Sequence, residues 1–201
     1  MKPALKIIAG GLLFAAIFVV LSLSLPAQEK ATLPVLLTSC GQSPGPVKIE
    51  VFMKRLKLDF SSIATATAND LIEKKKSGKP YKTLIIVTGA SLKGMGAAGI
   101  SISDELERTK ALIAEAKKEG IKIIGAHIEG MERRAQGAAS GDNTDEQSID
   151  AVCPQAALLL IRKDGDSDGR FTTISRSKRI PMIAFEKNME LENVLKSLFT
   201  P

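Results

Sequence analysis

The sequence predicts an α/β fold: a three-layer sandwich on a doubly wound, mostly parallel sheet of flavodoxin-like or Rossmann-like kind, after an N-terminal apolar helix. Three observations predict it. Apolar runs alternate with amphipathic ones from residue 33 onward. The apolar runs are continuous rather than alternating, which is the pattern of strands buried on both faces between helical layers. The segments after those runs are rich in glycine, serine and charge, and such loops at the carboxyl ends of parallel strands are where ligands bind.

The elements follow in order. Lys2 and Lys6 precede an uncharged apolar run over 7–25, and Pro26, Ala27 and Gln28 then offer a small-residue cleavage point. This is the pattern of a signal peptide. The run is also long enough to stay as a membrane anchor. Either way the lysines remain inside and the rest lies outside the membrane. Residues 28–32 read as a polar linker, and 33–201 as a single α/β domain.

Residues 34–39 (PVLLTS) give a first strand, and 47–57 a helix with Ile49, Phe52 and Leu56 on one face. Residues 58–61 make a weak strand, and 69–77 a charged helix stopped by Gly78 and Pro80. Residues 83–88 (TLIIVT) form a strong strand, followed by a glycine-rich flexible loop over 89–100. Ser103 is the expected cap of a long helix that ends at Gly120, with Asp104 and Glu105 in its first turn. Strands over 121–128, 156–162 and 181–186 alternate with helices over 145–152, 171–179 and 191–199.

Composition narrows the function. Seven Phe, one Tyr and no Trp leave few aromatic platforms for sugars or for the stacked bases of single-stranded nucleic acid. The net charge of +6 comes from interspersed signs, which fits a solvated surface and leaves room for an anionic small ligand. Cys40 and Cys153 are too few for a disulfide scaffold, and placed at opposite ends of the sheet they are predicted to stay unbridged. No cofactor and no metal are expected. Gly94, Gly96 and Gly99 spell G-x-G-x-x-G, but too far past the strand and without the acidic partner of a dinucleotide site. Asp164, Asp166 and Asp168 copy the start of a calcium loop, whose twelfth position is Ser175 rather than the required glutamate.

The strand-end loops supply the candidate site residues. Ser39, Cys40, Gly41, Gln42 and Ser43 precede Pro44 and Pro46, and the helix start there is expected to cradle an anion. Lys93 with the backbone of Gly94 and Gly96 would form a lid. Arg133 and Arg134 would neutralise a carboxylate or phosphate. His127, the one histidine, lies on the same sheet edge as Cys40, so a Cys–His nucleophile pair is geometrically open.

The segments TSCGQSPGP, GASLKGMGAAGIS, IEGMERR, DGRFT and IPMIAFEK, in that order, resemble a family of secreted or membrane-anchored bacterial proteins catalogued as a domain of unknown function. The resemblance implies an extracytoplasmic α/β domain and carries no activity. More loosely, the pattern is similar to one lobe of a periplasmic solute-binding protein. Cys40 departs from the family pattern. The leading expectation is therefore a module that binds or senses a small ligand, an anion among the candidates, is attached to the membrane through its N-terminal segment, binds no nucleic acid, and has an unidentified protein partner. Two rivals stand beside it: a hydrolase or thiol enzyme using Cys40 and His127, and a structural interaction module of the cell envelope.

Overall fold

Six short strands form one all-parallel sheet in the order β2-β1-β3-β4-β5-β6, the four inner strands buried along most of their length and the two edge strands only partly. They are β1 (Val35–Cys40), β2 (Phe60–Ser62), β3 (Thr83–Thr88), β4 (Lys122–His127), β5 (Leu158–Arg162) and β6 (Met182–Phe185). The computed structural model describes residues 30–135 and 142–199. The apolar N-terminal run and its cleavage point lie outside the described residues. Among the described residues no helix is long and apolar enough to cross a membrane.

The pleat sorts each strand's side chains to two apolar layers. Val35, Leu37, Ile85, Val87, Ile124 and Leu160 face α1 (Gly45–Arg55) and α7 (Leu191–Phe199). Leu36, Cys40, Leu84, Ile86, Leu159 and Ile161 face the other layer. That layer comprises α2 (Ala68–Lys76), α4 (Ile102–Lys118), α5 (Thr144–Val152) and α6 (Arg170–Lys178). Both free cysteines are buried in this second layer. The chain leaves β1 in one direction for β2 and returns past it to β3. The β1/β3 boundary is therefore the topological switch point, the place at which open parallel sheets have their ligand crevice.

Two elements differ from expectation. The glycine-rich stretch is a helix, α3 (Leu92–Ala98), and not a flexible loop. Ser91 caps it by accepting from the Gly94 amide at 3.0 Å, and Gly99 in the left-handed region ends it. The cap of α4 is Ser101 and not Ser103: its side chain and Asp104 form a reciprocal capping box. Residues 30–32 are fastened to the sheet. The Ala31 amide donates to Leu198 O at 2.9 Å, and Thr83 Oγ1 donates to Thr32 O at 2.7 Å.

Candidate functional site

The crevice is bounded by the loop after β1 and the loop after β3. These two touch. Gln42 and Ala90 form an antiparallel bridge, and the Ser91 amide donates to Gly41 O at 2.7 Å. Gly41 has φ of +103°, and a Cβ there would meet Gly89 O at 2.6 Å, so only glycine fits. A Cβ on Gly94 would run into Gln42 O, which explains a glycine inside α3: it lets the helix backbone pack on the β1 loop. Gly96 faces open space, and Lys93 is exposed on the same helix.

Most of the donors expected to meet an anion are spent inside the protein. Glu105, fully buried in α4, accepts from the Gly41 amide and from Gln42 Nε2, both at 2.8 Å. Its other oxygen accepts from Arg108 Nε at 2.7 Å, and Arg108 goes on to donate to Ser39 O at 2.6 Å. The Gly45 amide turns back to Ser43 Oγ at 3.3 Å, the Val47 amide to Pro44 O at 3.2 Å, and Pro46 has no N–H. The Gly89 amide donates to Ser148 Oγ at 2.9 Å, and the Ala90 amide to Asp145 at 2.5 Å. Burial raises the Asp145 pKa, against the hydrogen bond from Ala90. The start of α1 is thus a closed turn rather than an anion cradle.

Arg134 is corrected in the same way. It is 4% exposed and donates to Glu146 at 2.7 Å, to Asp168 at 2.7 and 3.1 Å, and to Gly165 O, with its guanidinium over the Phe171 ring. Burial opposes its charge, but the two carboxylates outweigh burial and hold its pKa up. The Arg134 hydrogen bond holds the Asp168 carboxyl down to about 2. Arg134 is a strut joining β4, α5 and α6, with no face left for a ligand. The acidic loop is similarly engaged. Asp166 accepts from the Phe171 and Thr172 amides at the start of α6, Asp164 pairs with Arg162 at 2.7 Å, and Asp168 pairs with Arg134. Among the described residues no cluster of three or more His, Cys, Asp or Glu is placed to hold a metal.

Cys40 and His127 do not pair. Thr88 of β3 lies between them, in register with Cys40 and 3.1 Å from His127 Nδ1. Two strand spacings separate their backbones, about 9.6 Å. Burial pushes the Cys40 thiol up to about 11, the opposite of an activated nucleophile. His127 is fully buried, and Nε2–H donates to Gly130 O at 2.9 Å, which leaves Nδ1 to accept from Thr88. Burial lowers its pKa to about 4. It is a neutral structural ring, stacked at 4.9 Å on Phe171.

One group in the crevice is not used up. Glu129 follows β4 and is 1% exposed. Its Oε1 accepts from Lys48 Nζ at 3.3 Å, while its Oε2 has no hydrogen-bond partner among the described residues. Arg133 Nε, also buried and without such a partner, is 3.7 Å from that oxygen. Arg133 reaches across Gly89 and donates through its terminal nitrogen to Ala90 O at 3.0 Å. A Cβ built on Gly45 would meet Val87 Cγ1 at 2.6 Å and would lie 3.2 Å from Ser43 Oγ and 3.3 Å from Glu129 Oε2, so Val87 closes the position and both oxygens approach the same face of Gly45. Of the expected residues, then, the structure brings Ser43 and Arg133 together and sets Lys93 and Arg134 apart from them. Sequence reasoning did not single out Glu129, Lys48 or Glu105.

A family model with the description Domain of unknown function (DUF6305) matches residues 32–199. No curated protein matches the chain. Among solved structures, the chain is similar to the psychrotrophic esterase EstA from Pseudoalteromonas sp. at 10% identity, with 84% of this chain and 94% of that one covered and a TM-score of 0.36. It is also similar to a GDSL-like lipase from Bacteroides thetaiotaomicron VPI-5482 at 13% identity, with 79% and 71% covered and a TM-score of 0.34. A gdp-l-fucose synthetase from Naegleria fowleri bound to NADP stands at 11% identity, 79% and 52% covered, and a TM-score of 0.38. None of the three is a solute-binding lobe, two are named as lipid- or ester-cleaving enzymes, and no residue role passes from them to this chain. The expected receptor for a small anionic ligand is corrected by the geometry: most of the donors that were to face it, the Gly41 amide, Gln42 and Arg134 among them, bond to carboxylates of the protein itself.

Proposed function

The chain belongs to that family, and we propose that it is a hydrolase of ester-like bonds, with Ser43 as nucleophile, Glu129 as general base and Arg133 as the donor for developing negative charge. One observation carries the reading. Glu129 Oε2 and Arg133 Nε are both buried, both lack a hydrogen bond among the described residues, and lie 3.7 Å apart. Ser43 Oγ and this carboxylate oxygen approach the same Gly45 backbone, 3.2 and 3.3 Å from where a Cβ would stand. Buried polar groups are nearly always hydrogen-bonded, and those that are not concentrate where a substrate or water completes them. A carboxylate beside a hydroxyl at a switch-point crevice suits acyl transfer.

The chemistry balances with these groups alone. Ser43 Oγ bonds to the acyl carbon while its proton passes to Glu129 Oε2, directly or through one water. The carbonyl oxygen takes up the electron pair and is met by Arg133 Nε–H. The alcohol leaves with the proton held by Glu129. A water then attacks the acyl-serine, gives a proton back through Glu129 to Ser43, and the acid departs. Lys48 occupies Oε1 and so leaves Oε2 as the working oxygen. The charged start and apolar run over 7–25 support an extracytoplasmic setting for this domain.

The test is hydrolysis of a series of p-nitrophenyl esters, from acetyl to octanoyl, by the purified chain. Ser43→Ala and Glu129→Gln are each expected to lower kcat/KM by about 100-fold or more. Both should keep the circular dichroism spectrum of the wild type. Wild-type rates no faster than buffer across the series, or variants that retain the rate, would remove the proposal.

A further inference from the structure

A second feature lies away from the strand ends. Helices α4 and α5 leave between them an open groove of about 610 Å³ on the outer face of the sandwich. Leu106, Ile113 and Ala151 supply apolar surface along it. On α4, positions 106, 110, 113 and 117 fall on one helical face, so Lys110 and Lys117 stand along one rim with Ile113 between them. Seven residues of helix put those two lysines about 10.5 Å apart along the axis, and the stripe from Leu106 to Lys117 runs for about 16 Å.

Both lysines that line the groove belong to α4, and the carboxylate that lines it, Asp150, belongs to α5. Among the described residues neither lysine pairs with a carboxylate, and Lys117 donates only to the neutral Gln155 across the groove, at 2.5 Å. On the α5 side Asp150 pairs with Arg170 at 2.5 Å, an arginine that it shares with Glu146 at 2.8 Å. Along α4 the groove therefore presents an apolar trough beneath two lysines that have no carboxylate within ion-pair distance among the described residues.

We propose that this groove docks an amphipathic helix of a protein partner, with apolar side chains directed at Ile113 and Ala151 and two carboxylates seven residues apart that meet Lys110 and Lys117. The length of the trough matches three helical turns, and the lysine spacing matches an i, i+7 pair on the docked helix. This surface is independent of the crevice that holds Ser43 and Glu129, and its test does not depend on any hydrolytic activity.

The experiment titrates the whole chain into a fluorescein-labelled synthetic helix carrying leucines flanked by glutamates at i and i+7, and into a twin with lysines at those two positions. The glutamate helix is expected to bind and to weaken as salt rises. The double variant Lys110→Glu, Lys117→Glu should bind the glutamate helix at least tenfold more weakly and now prefer the lysine helix, with an unchanged melting temperature. Equal binding of the two helices, no binding of either, or a charge-reversed variant that behaves as the wild type would overturn the proposal. So would saturable, lysine-dependent binding to phosphatidylglycerol vesicles with none to the helix, since that outcome assigns the groove to a membrane surface.

Discussion

Replacement of Arg134 by methionine separates a strut from a ligand-binding arginine. The substitution keeps the apolar stem against Phe171 and removes the guanidinium, leaving Glu146, Asp168 and Gly165 O without their shared donor. Removal of one partner of a buried ion pair costs about 3–5 kcal/mol. The lower end applies here, because Glu146 keeps Arg170 at 2.8 Å and the Asp168 side chain is 35% exposed. A loss of about 3 kcal/mol corresponds to about 6–12 °C in Tm for a domain of this size. Urea denaturation followed by circular dichroism should show the midpoint fall with an unchanged slope. Acid gives a second readout. Asp168 has its pKa held at about 2 in the folded state, below an unfolded value of about 3.9. Its contribution is therefore complete above the unfolded value and is lost as pH falls through the folded one, so the gap between wild type and variant narrows from pH 4 to pH 2. A Tm change smaller than about 2 °C, the shift of less than one kcal/mol, would refute the strut and return Arg134 to the surface.

Two further outcomes follow from the buried groups beside it. Burial raises both thiols, Cys40 to about 11, so Ellman's reagent at pH 8 should find no reactive cysteine in the native protein and two after unfolding; a fast-reacting thiol would contradict the packing of β1. The His127 ring should remain neutral in its Nε2–H form between pH 8 and pH 5, as read by nitrogen NMR. Its pKa is lower folded than unfolded, so stability is full above about 6.5 and declines as pH falls toward 4, by about 3 kcal/mol in all; a ring titrating near 6.5 in the folded state would overturn this.

The sheet was legible because its strands are buried on both faces and so read as unbroken apolar runs such as Thr83–Thr88. α3 was not, because Gly94, Gly96 and Gly99 have low intrinsic helix propensity. What makes the helix is the local Ser91 cap together with a tertiary contact, that of Gly94 with a loop some fifty residues earlier. The candidate site divides along similar lines. Ser43 and Arg133 were visible as polar residues just past strands. Arg134 was visible too, but whether a strand-end arginine meets solvent or two carboxylates depends on the crossing of α5 and α6, which local sequence does not encode. Glu129 was hidden in a run of charges that reads as solvated. Glu105 carried a readable signal: it shares a helical face with Thr109, Leu112 and Ala116, all buried, so a charge on that stripe needed partners. Reading it as a favourable first-turn acid missed that it holds the Gly41 amide and Gln42.

The fastening of residues 30–32 gives the molecule a direction. Lys30 donates to Ser197 O, Lys122 donates to Lys30 O, and Thr32 meets Thr83, all around the amino ends of the strands. The crevice with Ser43 and Glu129 opens at their carboxyl ends, a strand's length of about 20 Å away. Tail and working end are therefore opposite poles of one rigid sheet. Immobilisation of the chain through its amino-terminal side, on a resin or on a bilayer, holds the crevice out toward bulk solution, and a fusion partner added there leaves the same pole unobstructed.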